Sequence, residues 1–224
     1  MWSGPRNLST AMMYAFGHRC GCTAIDEPLY AAYLAETGLD HPMRNAILQS
    51  QPNDIHDALQ TLTQPKSMQY EKHMTHHLLP DFPRDWIKDV QNVYLIRHPA
   101  RVIASYAAKR ENPTLDDLGF VQQLNLYQEF GGTIIDSDDI LAHPKDHLQV
   151  LCDELGICFD DNMLHWPQGP KPFDGVWASH WYGSVQKSTG FSIQHKPLPH
   201  LTGTHADLLD AALPIYDKLA AQKI

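Results

Sequence analysis

Arg6, Asn7, Ser9 and Thr10 fall within a few residues of one another, just after Trp2-Ser3-Gly4-Pro5 and just ahead of an apolar run. Two hydroxyls, an amide and a guanidinium gathered at one bend are the groups that hold an anion. Leu8, Ala11, Met12, Ala15 and Phe16 recur at i, i+3, i+4, i+7 and i+8, which predicts an amphipathic helix. Gly17 suits the left-handed position that ends such a helix. The first turn of a helix carries unpaired N–H groups and the positive end of the helix dipole, so this turn and helix start predict a phosphate cradle. Ser, Thr and Asn at a helix start are also ordinary caps, and the stretch alone does not choose between the two readings. The pattern G-x-x-x-x-G-K-[ST] is absent, because Arg6 precedes the hydroxyls and no Lys stands before Ser9. That disfavours an ordinary ATPase or GTPase.

The elements that must position this loop alternate between short strands and helices. A stub before the loop, Thr23-Ala24-Ile25, Met68–Glu71, Asn92–Ile96 and Thr133–Ile135 are the expected strands. Helices are expected over residues 29–36, around Trp86, over Ala100–Lys109 with Pro99 at its first position, over Asp116–Phe130 and Pro144–Leu155, and from about Ala206 with a kink at Pro214. Residues 38–64 read as a helix-leaning excursion, and 158–199, rich in Pro, Gly and Trp, as an irregular covering segment. This alternation predicts one α/β domain over 1–224, a parallel sheet with helices on both faces. Ligands bind such a sheet at the carboxyl ends of its strands. Arg6, Asp26-Glu27, Glu71–His73 and Arg97 all fall at those ends.

Composition narrows the function classes. A chain of 224 residues with 43% hydrophobic and 19% charged residues has the make-up of a globular protein with a sizeable core. Its net charge of -9 argues against coating nucleic acid or an anionic membrane, so an anionic ligand needs a local cluster of Arg and Lys. No apolar run approaches the roughly 18 residues of a membrane span, and no signal peptide is evident. Cys20, Cys22, Cys152 and Cys158 form no CxxC framework, which favours reduced thiols and a cytoplasmic setting. His73, His76 and His77 lack Cys or carboxylate companions at ligand spacing, so no metal is expected.

Val93-Tyr94-Leu95-Ile96-Arg97-His98-Pro99-Ala100-Arg101-Val102 sets Arg97 at a strand end and Ser105 eight residues further on, in the following helix. Taken with the first loop, the chain resembles the sulfotransferases that use 3'-phosphoadenosine 5'-phosphosulfate (PAPS). Their P-K-S-G-T-T-like loop holds the 5'-phosphosulfate, and an R-[ND]-P-x-[DR]-V-x-x-S-like strand and helix hold the 3'-phosphate through Arg and Ser. Leu151-Cys152-Asp153-Glu154-Leu155-Gly156 resembles a helix of bacterial members, and Lys187-Ser188-Thr189-Gly190-Phe191 their late basic-glycine loop. Arg6 stands where the family has Lys, and Leu8 where it has Gly. The resemblance implies a three-layer α/β/α fold of the P-loop nucleoside triphosphate hydrolase type, and sulfuryl transfer from PAPS to a hydroxyl or amine of a small acceptor, with adenosine 3',5'-bisphosphate (PAP) as product. It assigns Arg6 to the bridging oxygen, and Pro5, Asn7, Ser9 and Thr10 to the 5'-phosphate loop. Arg97 and Ser105 fall to the 3'-phosphate, and Lys187, Thr189 and Gly190 to the closing loop. It offers two bases for the acceptor hydroxyl, Glu27 after the second strand and His73 in the loop after the third; Glu27 is preferred because it closely follows the loop helix. A monomer or homodimer acting on a small molecule, with no nucleic-acid or membrane partner, is the expectation. A P-loop small-metabolite kinase and a degenerate nucleotide-binding protein are the competing readings.

Overall fold

The computed structural model describes residues 1–62, 68–108, 113–192 and 197–224. Five parallel strands form one sheet: β1 (Trp2–Ser3), β2 (Cys22–Asp26), β3 (Met68–Met74), β4 (Val93–Ile96) and β5 (Thr133–Asp136), in the order β2-β3-β1-β4-β5. The stub expected before the loop is therefore the central strand. Two residues suffice because both edges are paired: Trp2 opposite His73 and Tyr94, Ser3 opposite Met74 and Leu95. Trp2 Nε1 donates to Asn92 Oδ1 at 2.9 Å, and the buried Gln123 amide bonds the Trp2 and Leu95 carbonyls.

Strand residues alternate between two cores, as a pleat requires. Val93, Leu95 and Ile135 enter a core with the first helix (Ser9–His18) and the helix Pro144–Glu154. Tyr94, Ile96 and Ile134 enter another with Trp2, Leu126 of the helix Phe120–Phe130 and Leu219 of the helix Thr204–Ala220. Helices cover both faces, giving three layers of α/β/α type. Consecutive apolar residues in β4 and β5 are the mark of strands buried on both sides.

The structure differs from the sequence reading at four places. Gly17 lies inside the first helix, which runs on to His18. A Cβ there would stand 2.5 Å from the Phe173 ring, so Gly17 serves close packing and not a left-handed end. The single helix expected over Asp116–Phe130 is two, Leu115–Leu118 and Phe120–Phe130, broken at Gly119 with φ +72. The chain bends there because Gly119 packs against Thr75 and the loop after β1: a Cβ would lie 2.5 Å from Thr75 Oγ1 and 3.5 Å from Gly4 Cα. The final helix starts at Thr204 and runs through Pro214 to Ala220. β3 extends to Met74, past the expected Glu71. The expected helix end at Lys109 and residues 63–64 of the excursion lie outside the described residues.

Candidate active site

The loop between β1 and the first helix is bent by backbone that side chains rarely adopt. Arg6 has φ 63 and Leu8, the N-cap, φ 71, both left-handed. Such conformations cost on the order of 1 kcal/mol or more each and persist only where the surroundings enforce them. Here the braces are visible. Asn7 is buried, its Nδ2 donates to Leu95 O at 3.1 Å, and its own carbonyl lies 2.6 Å from Ser137 Oγ. Arg97 Nη1 donates to Arg6 O at 2.9 Å. Leu8 makes no side-chain cap for the amides at the start of the helix, and Ser9 and Thr10 line the cleft.

That cleft encloses about 900 Å³. Pro5, Arg6, Asn7, Ser9, Thr10, Glu27, Arg97, Ser105 and Gly190 all line it. At one end Arg6 Nε donates to Ser105 Oγ at 2.8 Å, across 99 residues of sequence. Arg97 stands beside them, with Asp138 Oδ1 3.7 Å from its Nε; Asp138 is itself held by Arg101 at 2.8 Å. Burial lowers the pKa of both Arg6 and Arg97 from its ordinary value, yet a guanidinium keeps its charge at any physiological pH. The two Nη groups of Arg6 have no hydrogen-bond partner among the described residues, so the fork is anchored at Nε and open at its tip. The fold thus joins Arg6, expected at the bridging oxygen, to Ser105 of the helix Pro99–Ala107, expected at the 3'-phosphate.

The other end is built where β2 and β3 terminate. Lys72, fully buried, donates to Asp26 Oδ1 at 3.0 Å, to the Tyr182 hydroxyl at 2.6 Å, and to Glu27 Oε1. The Tyr182 hydroxyl also accepts from Trp177 Nε1 at 3.0 Å and gives its proton to Asp26 at 2.8 Å. Glu27 holds φ 40, a third strained backbone on the cleft. Burial pushes its carboxyl pKa up, Lys72 opposes that, and Asp26 adds to it. Burial likewise works against the Lys72 charge, but Asp26 and Glu27 together hold its pKa above the ordinary value. Glu27 Oε2 faces His77 Nδ1 at 3.8 Å. His77 is stacked between Tyr30 (4.3 Å) and Tyr33 (4.7 Å), and burial drives its pKa well down, so it is neutral. Its Nδ1 has no hydrogen-bond partner among the described residues.

Three expected site residues stand elsewhere. His73 is turned away from the cleft by the alternation of β3, which sends Lys72 inward and the next side chain to the other face. It stacks on Trp2 at 4.5 Å and bonds Glu71 Oε2 at 2.9 Å, so it does not fit the base role. Lys187 is exposed and does not line the cleft, although its neighbours Ser188 and Gly190 do. Thr189 faces a separate shallow hollow with His18 and His165. Sequence reasoning missed Lys72, Tyr182 and His77. The period of β3 puts Lys72 on the face of Tyr70 and Met74, opposite to Glu71 and His73, but Tyr182 lies 156 residues from its partner Asp26, with no local pattern to announce it.

A sequence model described as "Sulfotransferase domain" matches residues 1–223. Two curated Arabidopsis thaliana proteins, "Branched-chain-amino-acid aminotransferase-like protein 1" and "protein 2", are 36% and 35% identical over 97% of this chain. The chain spans only 40% of their length, so their names describe much larger proteins. Among solved structures, the "Sulfotransferase Domain from the Curacin Biosynthetic Pathway" aligns with a TM-score of 0.53 and 18% identity, covering 95% of both chains. The corresponding domain of the Synechococcus PCC 7002 olefin synthase aligns at 0.52 and 18%, covering 95% of this chain and 92% of that one. These two likenesses concern the fold; the family match extends over nearly every residue, and the chain belongs to the sulfotransferase domain family.

Proposed function

We propose that this chain transfers a sulfuryl group from PAPS to the hydroxyl of a small acceptor. The observation that carries the reading is the union of Arg6, Ser105 and Arg97 in one hydrogen-bonded group beside a helix N-terminus. Two cations whose partners are mostly neutral, a hydroxyl and a carbonyl, remain able to take up an anion. Arg97, Ser105 and the open fork of Arg6 bind the 3'-phosphate; the Ser9 and Thr10 hydroxyls and the amides at the start of the first helix bind the 5'-phosphosulfate. Those donors stabilise the charge that grows on the bridging oxygen, since positioned dipoles are the main catalytic resource for such displacements. The acceptor hydroxyl sits between Glu27 Oε2 and His77 Nδ1. Glu27 takes its proton as the new O–S bond forms, and the old S–O bond breaks with its electron pair leaving on PAP. Burial suits Glu27 to this task, because a carboxyl with a raised pKa is a stronger base.

The test is incubation with PAPS and a panel of small alcohols, with PAP release followed by chromatography. Acceptor-dependent PAP release is expected. Release of ADP from ATP with magnesium instead would favour the kinase reading, and PAP binding without turnover on any acceptor the non-catalytic one.

A further inference from the structure

The two ends of the cleft differ in charge, and the difference defines the acceptor. Arg6 and Arg97 belong to the nucleotide end. Among the described residues that line the cleft, the one other Lys or Arg is Lys72, which is enclosed by Asp26 and Glu27. Asp40 lines that same end, exposed, and makes no ion pair among the described residues. Its turn abuts the short helix Ala178–Trp181, where the Ser179 hydroxyl lies 3.3 Å from Met43 Sδ, so Asp40 and the half-buried Trp181 belong to one mouth. Leu39 and Met43, on the same turn, and Val176 are among the few exposed large apolar residues of the molecule. A carboxylate and an indole together are the surroundings that attract an organic cation. Deeper in, the buried and unpartnered His77 Nδ1 faces Glu27 Oε2, which marks where a hydroxyl docks.

Resting on the sulfotransferase reading above, we infer that the acceptor is an amino alcohol: its hydroxyl lies between Glu27 and His77, and its ammonium group against Asp40 and Trp181. An acceptor bearing carboxylate or phosphate would meet Glu27 and Asp40 with no free Lys or Arg, among the described residues of that end, to balance it.

Three probes of matched length test this: choline, its neutral isostere with carbon in place of nitrogen, and gamma-hydroxybutyrate. Binding is followed by tryptophan fluorescence and calorimetry, with and without PAP, at about pH 8, where imidazoles are neutral. Choline is expected to bind about tenfold more tightly than the isostere, and the hydroxy acid more weakly than either. Asp40→Asn removes the preference for choline while leaving stabilisation by PAP unchanged. Equal binding of choline and isostere, no binding of choline, preference for the hydroxy acid, or an unaltered preference in Asp40→Asn overturns the inference. Loss of the sulfotransferase reading shows separately, as absence of PAP stabilisation.

Discussion

Arg97, just past the end of β4, and Lys72, close to the end of β3, both line one cleft, and they are spent differently. Arg97 is about one-fifth exposed; its closest hydrogen bond goes to a neutral carbonyl, and the carboxylate it shares with Arg101 is 3.7 Å away. Lys72 is buried between two carboxylates and a phenol. The first arrangement leaves charge available to a ligand. The second consumes it, leaving a carboxylate-rich, aromatic pocket around Glu27. A count of cationic residues in the cleft would have treated the two alike; their partners separate a cation open to a ligand from one that is neutralised within the fold.

The contrast can be broken most severely at Glu27. Glu27→Gln keeps the shape but removes the base, and turnover should fall by about two to four orders of magnitude with PAP affinity nearly unchanged, measured by steady-state rates beside calorimetry. In the wild type, activity should rise with pH through a midpoint above the ordinary carboxylate range, because burial raises the Glu27 pKa and the base works only when ionised.

Lys72→Met removes the cation from a buried group and strands Asp26 and Glu27. Destabilisation of about 3–5 kcal/mol is expected in denaturant titrations at neutral pH. The deficit should shrink as pH falls, since protonating the stranded carboxylates relieves it. An equal deficit at all pH values would mean that packing, not charge, is what Lys72 supplies.

Acid should act on the wild type through its histidines before its carboxylates. His77 has a pKa well below ordinary because of burial, so the unfolded chain binds a proton near pH 6.5 that the folded chain refuses. Stability is therefore complete above that pH and declines as pH drops below it. His77→Gln should flatten this part of a stability-against-pH curve. His73, also buried with a lowered pKa, adds to the same limb. The smallest effect on chemistry is expected at His73 itself: His73→Gln should change turnover by less than about threefold, since the side chain faces Trp2 and not the cleft.

Most of the fold was legible because its signals are local. The buried strand Val93–Ile96, the helix start at Pro99 and the turn-rich loop before Ser9 each declare themselves within a few residues. The pairing of Arg97 and Ser105 on one cleft was legible for the same reason, since they are eight residues apart and joined by one strand-to-helix step. What failed was long-range. That Arg6 reaches Ser105, or that Tyr182 closes over Asp26, depends on left-handed backbone at Arg6 and on the path of the irregular segment after Cys158, neither of which leaves a periodic trace. The misplacement of His73 was avoidable: strand alternation alone separates it from Lys72. Gly17 and Gly119 show the converse, glycines whose purpose lies in a distant neighbour, Phe173 in one case and Thr75 with Gly4 in the other.

The central claim is that Arg97, Arg6 and Ser105 form a site for the 3'-phosphate of the nucleotide. Thermal unfolding of the wild type and Arg97→Ala, each with PAP or with AMP, tests it most directly. PAP should raise the midpoint of the wild type far more than AMP does, and Arg97→Ala should lose about ten- to hundredfold in PAP affinity, as expected for a charge-assisted pair, so that the two nucleotides become equivalent. Equal stabilisation of the wild type by AMP and PAP, or a PAP response untouched by Arg97→Ala, would contradict it.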